Sequence, residues 1–521
     1  MRITNRMMTN NMLYNINGNK NSLNKLDEQY STGLKIQRPS DDPIVAVRAL
    51  KLRTNLAELD QYYERNIKDA KSWMETTESA LTSTSEIITQ LHTYCVQGAT
   101  DTLTKDDRAN IGANLVQLVD QINQQGNANY AGRYVFTGYK TNQSLVFAED
   151  EETLDYTITE RKTFNNIEIL ERITNTADLT EFDLDDLDAF DTSSRAESNS
   201  VYRLQLAYDT LKSVEDDDDP AAIRLMIPAV DEDGEYIYDD DGNLQYDEEF
   251  SENDLSVMNS TNTRAYKPDP DEIIFLEDTG EVIFGSSMYE KFRDKDIEIT
   301  YEKNSFKKNE LRPEHSFDCD VLDMKIEDEE VREEKMISYR TEDQRISYEI
   351  SFNQKMQVNV QGKEAFKHDL GRCVDDIVNA VSAVDFVKAE IARIDKYMLE
   401  EGVNDEQKAK LAEIKDMLET ELDLKEGLLR KQFDRGIRIM GEQEGVVNES
   451  VSDIGTRYSR VELTESRLAT QQVEFTDLMS QNEDADIVET VVNYNAMQTV
   501  YNASLSAASK VVQNTLLDYL R

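Results

Sequence analysis

Hydrophobic positions near the start of the chain fall in alternating steps of four and three: Met12, Ile16, Asn19, Leu23, Leu26 and Tyr30. That spacing lines up one stripe of a helix in coiled-coil fashion. Asn, Ser, Lys and Gln surround the stripe, so the helix is expected to fray until a partner covers it. The pattern breaks at GLKIQRPSDDPIVA, residues 33–46, which holds two of the seven prolines. Gly33 suits a helix end, and neither Pro39 nor Pro43 can continue a helix. Asp42 before Pro43 reads as an N-cap followed by a first-turn proline, so the stretch predicts a joint between two helices.

Beyond the joint, Val45, Leu52, Leu59, Asn66, Trp73, Ala80, Ile87 and Tyr94 recur every seven residues, interleaved with Ala49, Leu56, Tyr63, Ala70 and Leu91. This predicts one long helix. A shorter one follows, with Ile111, Leu115, Leu118 and Ile122 on one face. AGRYVFTGYKTNQSLVF, residues 131–147, turns extended, and short strands and turns run from there to about residue 345. Within them DEDGEYIY and DDDGNLQY, residues 231–246, each carry an Asp-Gly turn and predict a small β-meander; EDTGEVIF, 277–284, is similar.

Helical spacing returns at Val384, Val387, Ile391, Ile394 and Met398, breaks at EEGVND, and resumes with Asp405 as N-cap toward Leu411, Ile414 and Leu418, predicting a helical hairpin near 384–440. Ile454, Val461, Leu468 and Phe475 keep sevenfold spacing, with Tyr458 and Met479 between. In the last helix Val491, Gln498, Leu505, Val512 and Tyr519 form one row, and Tyr494, Tyr501, Ala508 and Thr515 another. Val492, Met497, Val500, Val511 and Leu516 fall off that seam, and a helix apolar on more than one side belongs inside a larger bundle.

Composition supports helix: 39% of residues are hydrophobic and 31% charged, with only 19 glycines. The expected fold is mainly α with a β-rich insertion, elongated, in nested discontinuous domains. Residues 1–38 and 482–521 each carry a terminal coiled-coil stripe expected to fray in the monomer. Residues 39–148 and 346–481 form a long-helix bundle, with an extended or β-hairpin element at 131–147, and 149–345 an acidic β-rich outer domain.

The formal charge of −48 disfavours nucleic acid and anionic membrane surfaces as partners. It is unevenly spread: residues 149–260 hold 34 acidic and 7 basic side chains, residues 1–140 hold 15 and 16. Ends that pack against copies of themselves need such neutrality, while a segment held in water does not. No apolar run reaches the ~20 residues of a membrane span, and the N-terminus lacks the apolar block of a cleaved signal. By itself this reads as cytoplasmic.

HExxH, CxxC pairs, GxxxxGK[ST] and GxGxxG are all missing, and no catalytic, cofactor or metal residue is expected. Cys95, Cys319 and Cys373 are too few and too far apart for a disulfide framework. Each lies near a histidine (His92, His315, His368), but the scattered pairs read as packing, not as a zinc site. The Asp239–Asp241 run fails as a calcium loop, because Ile237 falls where the first ligand belongs.

The start MRITNRMM, the Asn-rich heptads, RPSDDP, AGRYVFTG and the end VVNYNAMQTVYNASLSAASKVVQNTLLDYL resemble bacterial flagellin-type axial proteins. The resemblance is strong over about residues 1–145 and 447–521, weaker over 346–380, and absent from most of the middle. RPSDDP and the extended 131–147 segment favour the junction branch of that family over filament subunits. The resemblance implies export without a cleaved signal through the flagellar type III apparatus with an export chaperone, which replaces the cytoplasmic reading. It also implies that residues 1–38 and 482–521 pair as one terminal coiled-coil assembly domain, disordered in the monomer, and self-association in a ring, with the first hook-associated protein and flagellin as neighbours. It marks Met12, Ile16, Leu23, Leu26, Tyr30, Val491, Tyr494, Tyr501, Leu505, Ala508, Val512 and Leu516 as inner-wall assembly contacts, and Arg38, Pro39, Asp41, Asp42 and Pro43 as the joint. Other readings of the same chain are a filament flagellin, a secreted adhesin with a ligand-binding β-rich domain, a hydrolase hidden in the middle, or a soluble monomer whose end heptads bundle together.

Overall fold

The computed structural model describes residues 5–100, 105–176, 195–213, 221–231, 235–239, 244–251, 253–326, 328–399 and 404–517. Side chains from 511 onward, Val512 and Leu516 among them, lie outside the described residues, as do Asp240, Asp241 and most of EEGVND.

Helices α1 (Asn5–Thr32), α2 (Pro43–Gln61), α3 (Ile67–Gly98) and α4 (Lys105–Gln125) open the chain. The β-rich insertion follows: β1 (Asn129–Tyr130), β2 (Arg133–Tyr134), β3 (Leu154–Thr163), β4 (Ile167–Thr174), β5 (Glu197–Gln205), β6 (Arg224–Pro228), β7 (Tyr246–Ser251), β8 (Ser256–Met258), β9 (Ile273–Leu276), β10 (Glu281–Phe284), α5 (Ser286–Lys291), β11 (Asp296–Lys303), β12 (Asp318–Asp323), α6 (Glu329–Glu334) and β13 (Ile337–Tyr339). The hairpin β14 (Ser347–Ser351) and β15 (Gln354–Gln357) then leads to α7 (Gly362–Ala365), α8 (His368–Met398), α9 (Asp405–Glu483) and α10 (Ile487–Leu517). The fold is mainly helical with a β-rich insertion, as the spacing predicts.

Two compact, discontinuous units emerge. The first takes residues up to 71, 348–356 and 459 onward; the second takes 72–347 and 357–458.

In the first unit the sevenfold rows continue through a π-helical turn at Tyr62–Asn66, which heptad spacing does not reveal. Asn66 ends that turn, and its side chain donates to the Glu349 carbonyl at 2.7 Å. In the second unit Val387 and Ile394 of α8 pack on Leu411, Ile414 and Leu418 of α9 as a helical hairpin, and α9 runs on unbroken for 79 residues. No proline interrupts residues 405–483, so nothing in the backbone stops it. Its N-cap is Asn404 rather than Asp405: Asn404 and Gln407 exchange side-chain to backbone bonds of 2.7 and 3.0 Å.

In the second unit the insertion is a pair of sheets, ordered β4-β5-β10-β9-β8 and β13-β12-β3-β11-β6-β7, antiparallel except for β8 beside β9. Alternation supplies the core between them: Tyr156 and Ile158 on β3 and Ile297, Ile299 and Tyr301 on β11 join Phe275, Val282 and Phe284. Both Asp-Gly turns lie outside the described residues, but the stretches beside them pair antiparallel, Val230 with Tyr236 and Tyr238 with Leu244. Ala229 donates to Gln245, Gln245 to Ile237 and Ile237 to Ala229, at 2.9–3.0 Å.

A buried charge cluster fixes the five-stranded sheet against α8 and α9. Arg203, fully buried on β5, donates to Asp376 on α8 at 2.9 and 3.2 Å, to Glu168 on β4 at 3.3 Å and to Glu281 on β10. Arg435 on α9 reaches Glu168 at 2.9 Å and Asp376 at 3.0 Å, and Arg172 reaches Glu281 at 2.9 Å. Three cations thus face three carboxylates. Burial by itself would raise the Glu281 and Asp376 carboxyls, but Arg172 and Arg203 overcome it at both, and both stay below the ordinary range.

Candidate assembly surface

The joint, the paired terminal helices and the exposed faces beside them all belong to the first unit. The joint is built as the sequence suggests, and it is tied to a second link that the spacing did not single out. Gly33 ends α1 at φ +73°, where a side chain would be strained, and its N–H donates to the Gln29 carbonyl at 2.9 Å. Asp41 accepts from the Arg38 and Gln37 amides at 3.0 and 3.3 Å, which lowers its carboxyl below the ordinary value. Asp42 accepts from Ile44 and Val45 at 3.0 and 3.2 Å and caps α2, with Pro43 first in the helix. Arg38 and Pro39 are exposed.

This joint pairs with the short link between α9 and α10. Lys35 donates to the Glu483 carbonyl and Ala485 to the Gly33 carbonyl, both at 2.7 Å. Arg53 grips the buried Glu483 carboxylate with two donors, Nε at 3.0 Å. Asp486 caps α10 by accepting from Val488 and Glu489 at 2.9 and 3.1 Å. Asp486 and Glu489 three residues on, ahead of an apolar run, carried a readable start signal. Arg53 and Glu483 carried none, being 430 positions apart.

From these two links α1 and α10 run as a pair. On α1, Ile16 is buried at 9% exposure while Met12, Leu23 and Leu26 are half-buried. The facing side of α10 is Thr490, Val491, Tyr494, Met497, Tyr501, Ser504 and Ala508, all buried or half-buried. Asn19 donates to Ser504 at 2.9 Å, and Tyr30 stacks on Tyr494 with ring centres 6.4 Å apart. Met497 therefore lies on the intramolecular seam. Leu505 lies off it at 43% exposure, and Tyr30, although stacked, is more than half exposed.

Much apolar surface stays uncovered within this unit. Val488 and Val492 of α10 are 76% and 62% exposed, Ile487 and Val500 are also exposed, and so are Met7, Met8, Leu13 and Tyr14 on α1 and Ile44, Val47 and Leu50 on α2. Helix α10 carries just two charged residues, Glu489 and Lys510, in 31 positions. These apolar side chains stay uncovered by the described residues.

In the second unit His315 and His368 are engaged in packing. Burial pushes His315 down to about 3 and His368 to about 4, and His368 lies 2.9 Å from the Tyr208 hydroxyl. Among the described residues no group of three or more His, Cys, Asp or Glu is placed to hold a metal, and no helix is long and apolar enough to cross a membrane.

Residues 3–141 match the bacterial flagellin N-terminal helical region, and residues 437–520 the bacterial flagellin C-terminal helical region. Flagellar hook-associated protein 3 of Salmonella typhimurium is 36% identical over 143 residues, 27% of this chain and 44% of that protein. The Escherichia coli protein of the same name is 33% identical over 153 residues, 29% and 47% of the two chains. Flagellin of Clostridium tyrobutyricum is 36% identical over 127 residues, 24% and 33%. The chain thus spans under half the length of these relatives. A putative flagellar hook-associated protein from Vibrio parahaemolyticus covers 85% of this chain and all of its own at 10% identity and a TM-score of 0.36. FlgL of Xanthomonas campestris covers 82% and 99% at 12% identity and 0.29.

Proposed function

From a chain that carries both terminal helical regions of bacterial flagellins, we propose a structural component of the bacterial flagellum that joins the first hook-associated protein to the flagellin filament. It is exported through the flagellar type III apparatus with a chaperone and closes into a ring of its own copies. Met12, Ile16, Leu23, Leu26, Tyr30, Val491, Tyr494, Tyr501, Leu505, Ala508, Val512 and Leu516 act as its inner-wall contacts. Residues 33–46 act as the joint between that wall and the next layer. The terminal segments, 1–38 and 482–521, whose helices α1 and α10 pair in this structure, are held so weakly that they open and stay loose in the lone subunit. The acidic insertion, 149–345, faces water.

The observation that carries this reading is α10 itself: two charges in 31 residues, with Val488, Val492, Val500 and Leu505 exposed outside its seam with α1. Covering each such side chain is worth ~1.5–3 kcal/mol, a driving force for neighbours that a solitary subunit leaves unused. RPSDDP supports the junction role over a filament role. Immunogold labelling of intact flagella tests it: a narrow band at the filament base is expected, whereas label along the whole length would make the protein a filament subunit.

A further inference from the structure

Far apart in sequence, two of the three cysteines come together in the second unit. Cys95, in the last turn of α3, and Cys373, in the second turn of α8, are both fully buried where the two helices meet α9 at Gly436. A Cβ on Gly436 would stand 3.2 Å from Cys95 Sγ and 3.8 Å from Cys373 Sγ, and 2.9 Å from Ile377 Cδ1. The missing side chain at Gly436 is the space both sulfurs border. Cys319 is elsewhere, in the core between the two sheets. All three are free thiols in this structure.

We propose that Cys95 and Cys373 are an oxidative modification site, closing to a disulfide that ties α3 to α8 beside Gly436. The oxidant is a low-molecular-weight disulfide. One cysteine thiolate attacks it, forming a mixed disulfide and releasing a small thiol. The second thiolate attacks the protein-side sulfur and releases the other small thiol, so the two protein thiols give up two protons and two electrons, and the reagent takes both electrons. Burial pushes each thiol up to about 12 in the finished fold. Exchange therefore belongs to the folding chain, before α9 closes over the pair. The bond makes residues 96–372, the whole β-rich insertion included, one covalently closed loop, which restricts the unfolded chain. None of this rests on the assembly reading.

The test is to refold the full chain in glutathione redox buffer, alkylate it, digest it and map the peptides by mass spectrometry. The expected result is a peptide joining Cys95 to Cys373, two hydrogens lighter than the reduced pair, with Cys319 alkylated. The melting temperature should rise on oxidation and fall back with reductant. C319A should keep both the link and the shift, and C373A should lose both. If C373A does not fold, the wild-type and C319A maps still decide. A folded chain with Cys95 and Cys373 both alkylated, or a link through Cys319, would overturn the proposal.

Discussion

Distant stretches of this chain meet in two ways. Where the insertion meets α8 and α9, Arg172, Arg203 and Arg435 are set against Glu168, Glu281 and Asp376, several of them wholly out of water. Where α1 meets α10, the seam holds, among the described residues, one buried aliphatic, an Asn–Ser bond and a tyrosine stack, and aliphatic side chains remain bare on α10. In the first contact every charge meets an opposite charge within the chain, although Arg172 Nε and Arg203 Nε are buried without a hydrogen bond. A buried charge left unanswered is so costly that such a contact is either complete or broken. The second contact has unfilled capacity, and apolar surface can be covered by any neighbour of fitting shape. Charges paired within the chain mark the part that holds its form alone, and bare apolar surface the part that the proposed assembly would finish.

The largest expected effect is at the closed contact. Arg203→Met leaves Glu281 and Asp376 buried without their central cation, and urea unfolding should show a loss of about 3–5 kcal/mol. A loss below ~1 kcal/mol would erase the contrast. Acid should act on the same cluster. Glu168, Glu281 and Asp376 have pKa values lowered on folding, against the pull of burial, by their arginines. Their stabilisation is fully present above the unfolded carboxylate value of about 4 and drains away as pH falls through the folded values. Near-ultraviolet circular dichroism should therefore show tertiary structure failing below about pH 4, and the wild type should lose more of its stability there than Arg203→Met does.

Smaller effects belong to the open contact and its joint. Asp42→Ala removes the cap of α2 and should cost about 1 kcal/mol in urea unfolding. Leu505→Asp should be the mildest in the lone subunit, within about 0.5 kcal/mol, since that side chain already meets water. In cells the same change should stop ring closure and release unassembled flagellin into the medium. Normal filaments from Leu505→Asp would remove Leu505 from the wall.

What could be read in advance follows from how local each signal is. The stripe Met12–Tyr30, the cap at Asp42, the turn glycine at Gly33 and the strand-rich middle rest on spacings of a few residues, and all appear in the fold. The π turn at Tyr62–Asn66 escaped because the heptad rows continue through it. On α10, apolar residues on several sides left more than one seam open, and only the partner helix decides that Met497 faces in and Leu505 out. The Arg53–Glu483 pair joins residues 430 positions apart and the Arg203–Asp376 contact residues 173 apart, where a sequence this rich in carboxylates offers no means of choosing partners.

Amide hydrogen exchange on the isolated full-length chain tests the central claim most directly. Amides of 5–32 and 487–510 should exchange orders of magnitude faster than those of α9 around Phe433 and Met440, both fully buried. Termini protected as strongly as that stretch would mean that α1 and α10 already satisfy each other, and the surface would not be waiting for neighbours.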